Sequence, residues 1–211
     1  MATVLGLWNA ALREIGERNL SDTGEGVEAA RVLTNVYSDV VTDCLTEGQW
    51  NFATRTIMVD SDTGVTPVFG PAEVFAKPSD WLRTTALSAE ETLRTPLADY
   101  LDDVNYWSAD VTPIYVRYVS NSTDWGFNLA NWPRAFTRYV ELALAQRVCE
   151  RLTQNQSKLD RLDDMVRDAK RKALSQDAMN EAQPRWAPEG SWNAARSGTV
   201  RDRGSRSRLI G

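Results

Sequence analysis

The periodicity of the chain breaks at Gln49-Trp50-Asn51-Phe52-Ala53. Upstream, Ala30, Leu33, Tyr37, Val40 and Cys44 recur at helical spacing. Val36, Val41 and Leu45 widen that stripe, as in a helix buried on a broad face. Residues 28–47 as a helix would span roughly 30 Å, with Gly48 at the C′ position. Downstream, Thr54-Arg55-Thr56-Ile57-Met58-Val59 has strand character and runs into the turn-rich Asp60-Ser61-Asp62-Thr63-Gly64. Two bulky aromatics, Trp50 and Phe52, stand at the switch, where they can anchor a helix end and a strand start in one core. Both are expected to be core residues that touch no ligand.

The other helical patterns lie on either side of a β-like stretch. Val4, Leu5, Trp8, Leu12 and Ile15 predict a first helix with Thr3 as N-cap and Gly16 at its end. Pro133 fits the first position of a later helix, whose apolar face holds Phe136, Tyr139, Val140, Ala143, Leu144, Val148 and Leu152. The Ala-rich middle of that helix permits close packing. Ser157-Lys158-Leu159-Asp160 resembles a capping box opening the last helix, which carries Leu159, Leu162, Val166, Ala169 and Ala173 on one face. Its remaining faces are dense in Asp, Arg and Lys, the pattern of a solvated surface with ion pairs one turn apart.

Between these helices, Val68-Phe69, Glu73-Val74-Phe75, Thr84-Thr85-Ala86-Leu87 and residues 114–119 are further strand candidates. Pro67, Pro71, Pro78, Pro96 and Pro113 confine strands to edges and starts, so short antiparallel strands with long loops are expected. Residues 97–105 read equally as strand or as one helical turn. The predicted fold class is therefore mainly α, an antiparallel helical bundle with a β-rich insert and an extended C-terminal tail. The predicted parts are 1–53 and 132–183 for the bundle, 54–131 for the insert and 184–211 for the tail.

Composition narrows the chemistry. The chain has no His, which excludes Ser-His-Asp, Cys-His and His-metal sites. Cys44 and Cys149 are too far apart for a metal-binding spacing and sit among apolar residues, so they read as small buried hydrophobes. No phosphate-cradling glycine loop occurs. Glu14 with Glu17, and Asp102 with Asp103, are the obvious carboxylate pairs. Neither spacing places two acids across a cleft as a hydrolase needs, so both read as solvated surface, and Arg13, Arg18 and Arg31 as their kind of ion-pair partner. No catalytic residue, cofactor or metal is expected. The N-terminus has no signal-peptide pattern and no run of roughly 20 apolar residues occurs, so a chain made and kept in the cytoplasm, without a membrane partner, is expected.

Charge is segregated. Six arginines, Arg185, Arg196, Arg201, Arg203, Arg206 and Arg208, face Glu189 and Asp202 in residues 184–211, a charge of +4 that leaves −9 on the other 183 residues. This tail also holds Trp186, Trp192 and an apolar end at Leu209-Ile210, and its composition cannot build a core alone. Three readings stand: nucleic-acid binding through arginine–phosphate contacts and tryptophan stacking, a solvated extension, or docking on another protein with Trp and Arg as anchors.

Several landmarks follow one another in a recognisable order: Ala10-Ala11-Leu12-Arg13-Glu14-Ile15-Gly16-Glu17, a helix with Tyr37 and Leu45, then Trp50-Asn51-Phe52-Ala53. After them come Phe75-Ala76-Lys77-Pro78-Ser79-Asp80-Trp81-Leu82-Arg83, Ile114-Tyr115 and a late Ala-rich helix from Phe136. This order resembles the head-to-tail adaptor family of short-tailed bacteriophages, which includes the tail tubular protein A group, over roughly residues 4–175. Pro78, Asp80, Leu82 and Arg83 match that family's aromatic-x-x-Pro-x-Asp-x-Leu-Arg pattern. The resemblance implies a virion protein at the head–tail junction, assembled in the host cytoplasm. It would form a twelvefold ring with copies of itself, between the portal protein and the tail hub or nozzle protein. DNA would pass through the channel without sequence-specific binding. It also implies that the C-terminal segment reaches the portal, which gives weight to the docking reading. A cell-wall hydrolase using carboxylates and a DNA-binding accessory protein are the alternatives.

Overall fold

A computed structural model describes residues 3–180 apart from 66, 68 and 69. Four helices occur among these: α1 (Val4–Ile15), α2 (Glu28–Thr46), α3 (Arg134–Thr153) and α4 (Gln156–Asn180). Six strands lie between α2 and α3: β1 (Thr54–Val59), β2 (Glu73–Ala76), β3 (Trp81–Ser88), β4 (Leu101–Asp102), β5 (Tyr106–Ala109) and β6 (Ile114–Ser120).

These strands make two antiparallel three-stranded sheets, ordered β1-β6-β3 and β2-β5-β4. The expected fold class, mainly α with a β-rich insert, is therefore corrected: the protein is a mixed α/β fold, 47% helical and 18% strand over the described residues. The reason is a second interior. Phe75, Leu87, Trp107, Ala109, Ile114, Val116 and Tyr118 form a buried cluster of their own, so the β region is not an excursion from a helical core.

The helices pack by their apolar stripes. On α1, Thr3 Oγ1 accepts from the Gly6 amide at 3.1 Å, and Gly16 closes the helix at φ 80°, a left-handed value that glycine adopts without steric cost. Its buried face is Leu7, Trp8, Ala11, Leu12 and Ile15. Helix α3 contacts α1, α2 and α4. It is accordingly buried on several sides, through Phe136, Tyr139, Val140, Leu144, Ala145 and Val148. Helix α4 buries only Leu162, Ala169 and Ala173, and its outer face carries the pairs Arg167–Asp164 and Arg171–Asp168 three residues apart.

Three local expectations change. Pro133 is the N-cap of α3 and not its first helical residue; its carbonyl accepts from the Thr137 amide at 2.9 Å. Asn155, not Ser157, caps α4, its Oδ1 accepting from the Lys158 amide at 3.0 Å. Gly48 follows the α2 cap Glu47 without a positive φ. What requires glycine there is space: a Cβ would lie 2.7 Å from Trp50 Cε2 and 2.9 Å from Leu174 Cδ2.

Strand β6 joins the two interiors. Its Ile114, Val116 and Tyr118 belong to the β cluster, while Val119 belongs to the helical core. Residues 97–105, ambiguous in sequence, hold the two-residue strand β4, and the candidate strand at Val68-Phe69 lies outside the described residues.

Candidate functional site

The two motif segments arrive at the same end of β6. Strands β1 and β3 flank it, with Thr54 opposite Val119 and Trp81 opposite Ser120. Trp50-Asn51-Phe52-Ala53 leads directly into β1, and Pro78-Ser79-Asp80 directly into β3. Segments separated by 24 residues, 54–77, thus share one seam between sheet and helices.

On the helical side of the seam, Trp50 is 1% exposed and donates from Nε1 to the Cys44 carbonyl at 2.9 Å, which ties the indole to the end of α2. Its ring meets Phe136 of α3 edge-on at 4.8 Å, and Phe52 stands 4.7 Å from the same Phe136. Such pairs add about 0.5–1.5 kcal/mol beyond area burial. Trp50 is buried, as expected, whereas Phe52, expected in the core as well, is only half-buried against the cluster; Ala53 is buried too. Asn51 is bound on both sides. Its backbone N–H donates to the Asp177 carboxylate at 3.1 Å, its Nδ2 donates to the Asp177 carbonyl at 3.0 Å, and its Oδ1 accepts from Arg117 Nη2 at 3.3 Å.

On the sheet side, Asp80 is the hub. Its carboxylate accepts from Ser120 Oγ at 2.6 Å, Tyr118 OH at 3.0 Å and Arg55 Nη1 at 3.1 Å. Burial pushes this carboxyl up, but the hydrogen bonds from Ser120, Tyr118 and Arg55 outweigh it and hold it below the ordinary value. The Pro78 carbonyl accepts from the Trp81 amide at 3.1 Å, closing a tight turn into β3. Leu82 packs against the helical core. Arg83 Nη1 donates to the Thr46 carbonyl at 3.3 Å, placing a cation at the C-terminal end of α2 where the helix dipole favours it.

Lys77, which carries no periodic signal in the sequence, closes the opposite side of the motif. Its Nζ lies 3.6 Å from the Trp81 ring centroid, pairs with Asp102 and donates to the Asp103 carbonyl. The side chain is 4% exposed, so the charge is desolvated and its pairing with an anion and an aromatic face is what makes burial tolerable. Trp81 and Trp107 both donate from Nε1 to Thr84 Oγ1, at 3.1 and 2.9 Å.

Of the candidate carboxylates, Glu14 pairs with Arg138 at 2.8 Å and Asp102 with Lys77. Arg138 also pairs with Glu141 and so bridges two acids. Arg18 and Arg31 pair with Glu25 and Glu28, while Arg13 donates to the Asn9 carbonyl. An open depression of about 730 Å³ lies between α1 and the start of α3, floored by Leu7 and Ala10. Its Glu141 is held by Arg134 at 3.1 Å and Arg138 at 3.4 Å. Cys44 and Cys149 are buried free thiols, and burial raises Cys44 to about 12, which keeps it an unreactive thiol. Among the described residues, no group of acids and cysteines could hold a metal ion, and no helix is long and apolar enough to cross a membrane.

The candidate docking residues Arg185, Trp186, Trp192, Arg196, Arg201, Arg203, Arg206, Arg208, Leu209 and Ile210 lie outside the described residues. No family model matches the chain, and no curated protein matches it.

Proposed function

We propose that this chain is a structural component of a short-tailed phage virion, an adaptor that forms a ring between portal and tail hub at the head–tail junction. The observation that carries the reading is the meeting of Trp50-Asn51-Phe52-Ala53 with Pro78, Asp80, Leu82 and Arg83 at one end of β6. The residues that resemble the adaptor family therefore come to one end of β6, where Arg55 of β1 and Tyr118 of β6 bond the Asp80 carboxylate.

Charge supports the same reading. The 183 residues before the tail carry −9 and the tail +4. An acidic ring around duplex DNA repels the phosphates and lets the duplex slide, while the basic, tryptophan-bearing tail suits docking on the portal.

Deleting residues 184–211 and measuring binding to the portal of the same virus tests the docking part. Loss of binding is expected, and undiminished binding would sink it. Duplex binding by the isolated chain with a steep salt dependence would point instead to a DNA-binding accessory protein.

A further inference from the structure

Val104 lies in the short loop between β4 and β5, where Gly, Asn, Asp and Ser suit a turn better than a β-branched residue. It is 84% exposed, and Leu101 on the same hairpin is 48% exposed. The tip is nonetheless held in place. The Asp103 amide donates to the Tyr106 carbonyl at 3.0 Å, and the Lys77 amide to the Asn105 carbonyl at 2.9 Å. Lys77 Nζ pairs with Asp102 and donates to the Asp103 carbonyl. The buried lysine thus braces the tip through both backbone and side chain. A braced tip pays little ordering cost when it binds. The exposed Asp103 carboxylate has no cation among the described residues.

The depression between α1 and the start of α3 has the complementary make-up. Buried Leu7 and Ala10 floor it. Arg13, Arg134 and Arg138 line it against two glutamates, Glu14 and Glu141. Both glutamates are taken up by Arg134 and Arg138. Arg13 is exposed and has no acid among the described residues, donating to the Asn9 carbonyl instead. None of the described residues of 54–128 lines the depression, so a chain does not fill it with its own hairpin.

We propose that the β4–β5 tip of one copy docks in the α1–α3 depression of the next, with Val104 on the Leu7–Ala10 floor and Asp103 against Arg13. The occupant is a second copy because one chain carries both halves: an apolar tip with a free acid, and an apolar floor with a free arginine. The basic segment 184–211 would meet like charge there. The two surfaces differ, so the contact is heterologous. Each copy keeps a free tip or depression for another, and repetition closes into a ring or runs on as a filament. This contact deepens the ring of the adaptor reading and rests on that reading for closure.

The test links thiols between copies of the full-length protein, without portal. Asn105→Cys marks the tip and Ala130→Cys the rim of the depression, both exposed positions, while the native Cys44 and Cys149 are buried. A short bis-maleimide linker tolerates looser placement than a disulfide does. Mixing the two single variants should give a covalent dimer and nothing larger, and the double variant should give a ladder. Arg13→Glu in the double variant should cut the ladder about tenfold, the scale of losing a close interfacial charge pair. Val104→Asp, which sets a charge on the apolar floor, should cut it at least as much. Asp103→Arg added to Arg13→Glu should recover it, which general destabilisation would not do. No dimer from the mixture overturns the contact and gives the depression to another occupant. Dimers as abundant from either variant alone overturn it in favour of a symmetric interface, and failure of the charge exchange to recover the ladder overturns it as well. A ladder from a chain that never binds its portal would refute the adaptor reading alone. Portal binding without a ladder would refute the contact alone.

Discussion

Ser120 Oγ donates to the Asp80 carboxylate at 2.6 Å, joining the last residue of β6 to the residue that opens β3. With Tyr118 of β6 and Arg55 of β1 on the same carboxylate, two strands converge on the anion that precedes β3. Asp80→Ala should lower stability by about 2–3 kcal/mol, since buried donors lose a charged acceptor. Because the native carboxyl lies below its ordinary 3.8, this contribution is present above pH 3.8 and is lost as pH falls through the depressed native value. Urea titrations at pH 7 and pH 3 measure both effects; a variant as stable as wild type at pH 7 would contradict the hub.

Trp50 and Phe52 should separate in their costs. Trp50→Ala empties a fully buried site and should cost about 3–5 kcal/mol. Phe52→Ala should cost less, about 2 kcal/mol, because its ring is only half-buried. Chemical denaturation measures the difference. A well-folded Trp50→Ala protein that failed only in portal docking would overturn the core assignment.

Gly126 and Gly48 are required for space. At Gly126 a Cβ would lie 2.1 Å from the Ser120 carbonyl oxygen, a backbone atom that cannot rotate away. Gly126→Ala should therefore cost about 3 kcal/mol or more, and Gly48→Ala, which meets the side chains of Trp50 and Leu174, about 1–3 kcal/mol. Equal, small losses in a denaturation series would refute this ranking.

Alkaline pH should destabilise the fold in a defined window. Burial pushes Tyr37 to about 12, and burial followed by the Asp80 charge does the same for Tyr118. Their native values lie above the ordinary 10.0, so the associated stability is complete below pH 10 and lost as pH rises through about 12. Phenolate absorbance followed with far-ultraviolet circular dichroism should show late ionisation coincident with unfolding. Ionisation of all tyrosines near pH 10 in a still-folded protein would contradict it.

Local signals in the sequence carried far. Thr3 and Gly16 marked the ends of α1, and residues 114–119 stood out as the strand that is β6. Strand β5 escaped because Trp107, Ser108 and Ala109 are buried in succession, leaving no alternation to read. The β interior, and with it the mixed fold class, was hidden because its residues come from four separate strands. At the seam, Trp50 and Asp80 were visible as motif residues. The residues that hold the motif were not, since Arg55 on Asp80, and Arg117 and Asp177 on Asn51, act only through contacts made by the folded chain.

The most direct test of the adaptor assignment is the mass and symmetry of the particle formed when the full-length chain is mixed with the portal of its virus. A twelvefold ring seated on the portal is expected. A chain that stays monomeric beside an intact portal would contradict the assignment.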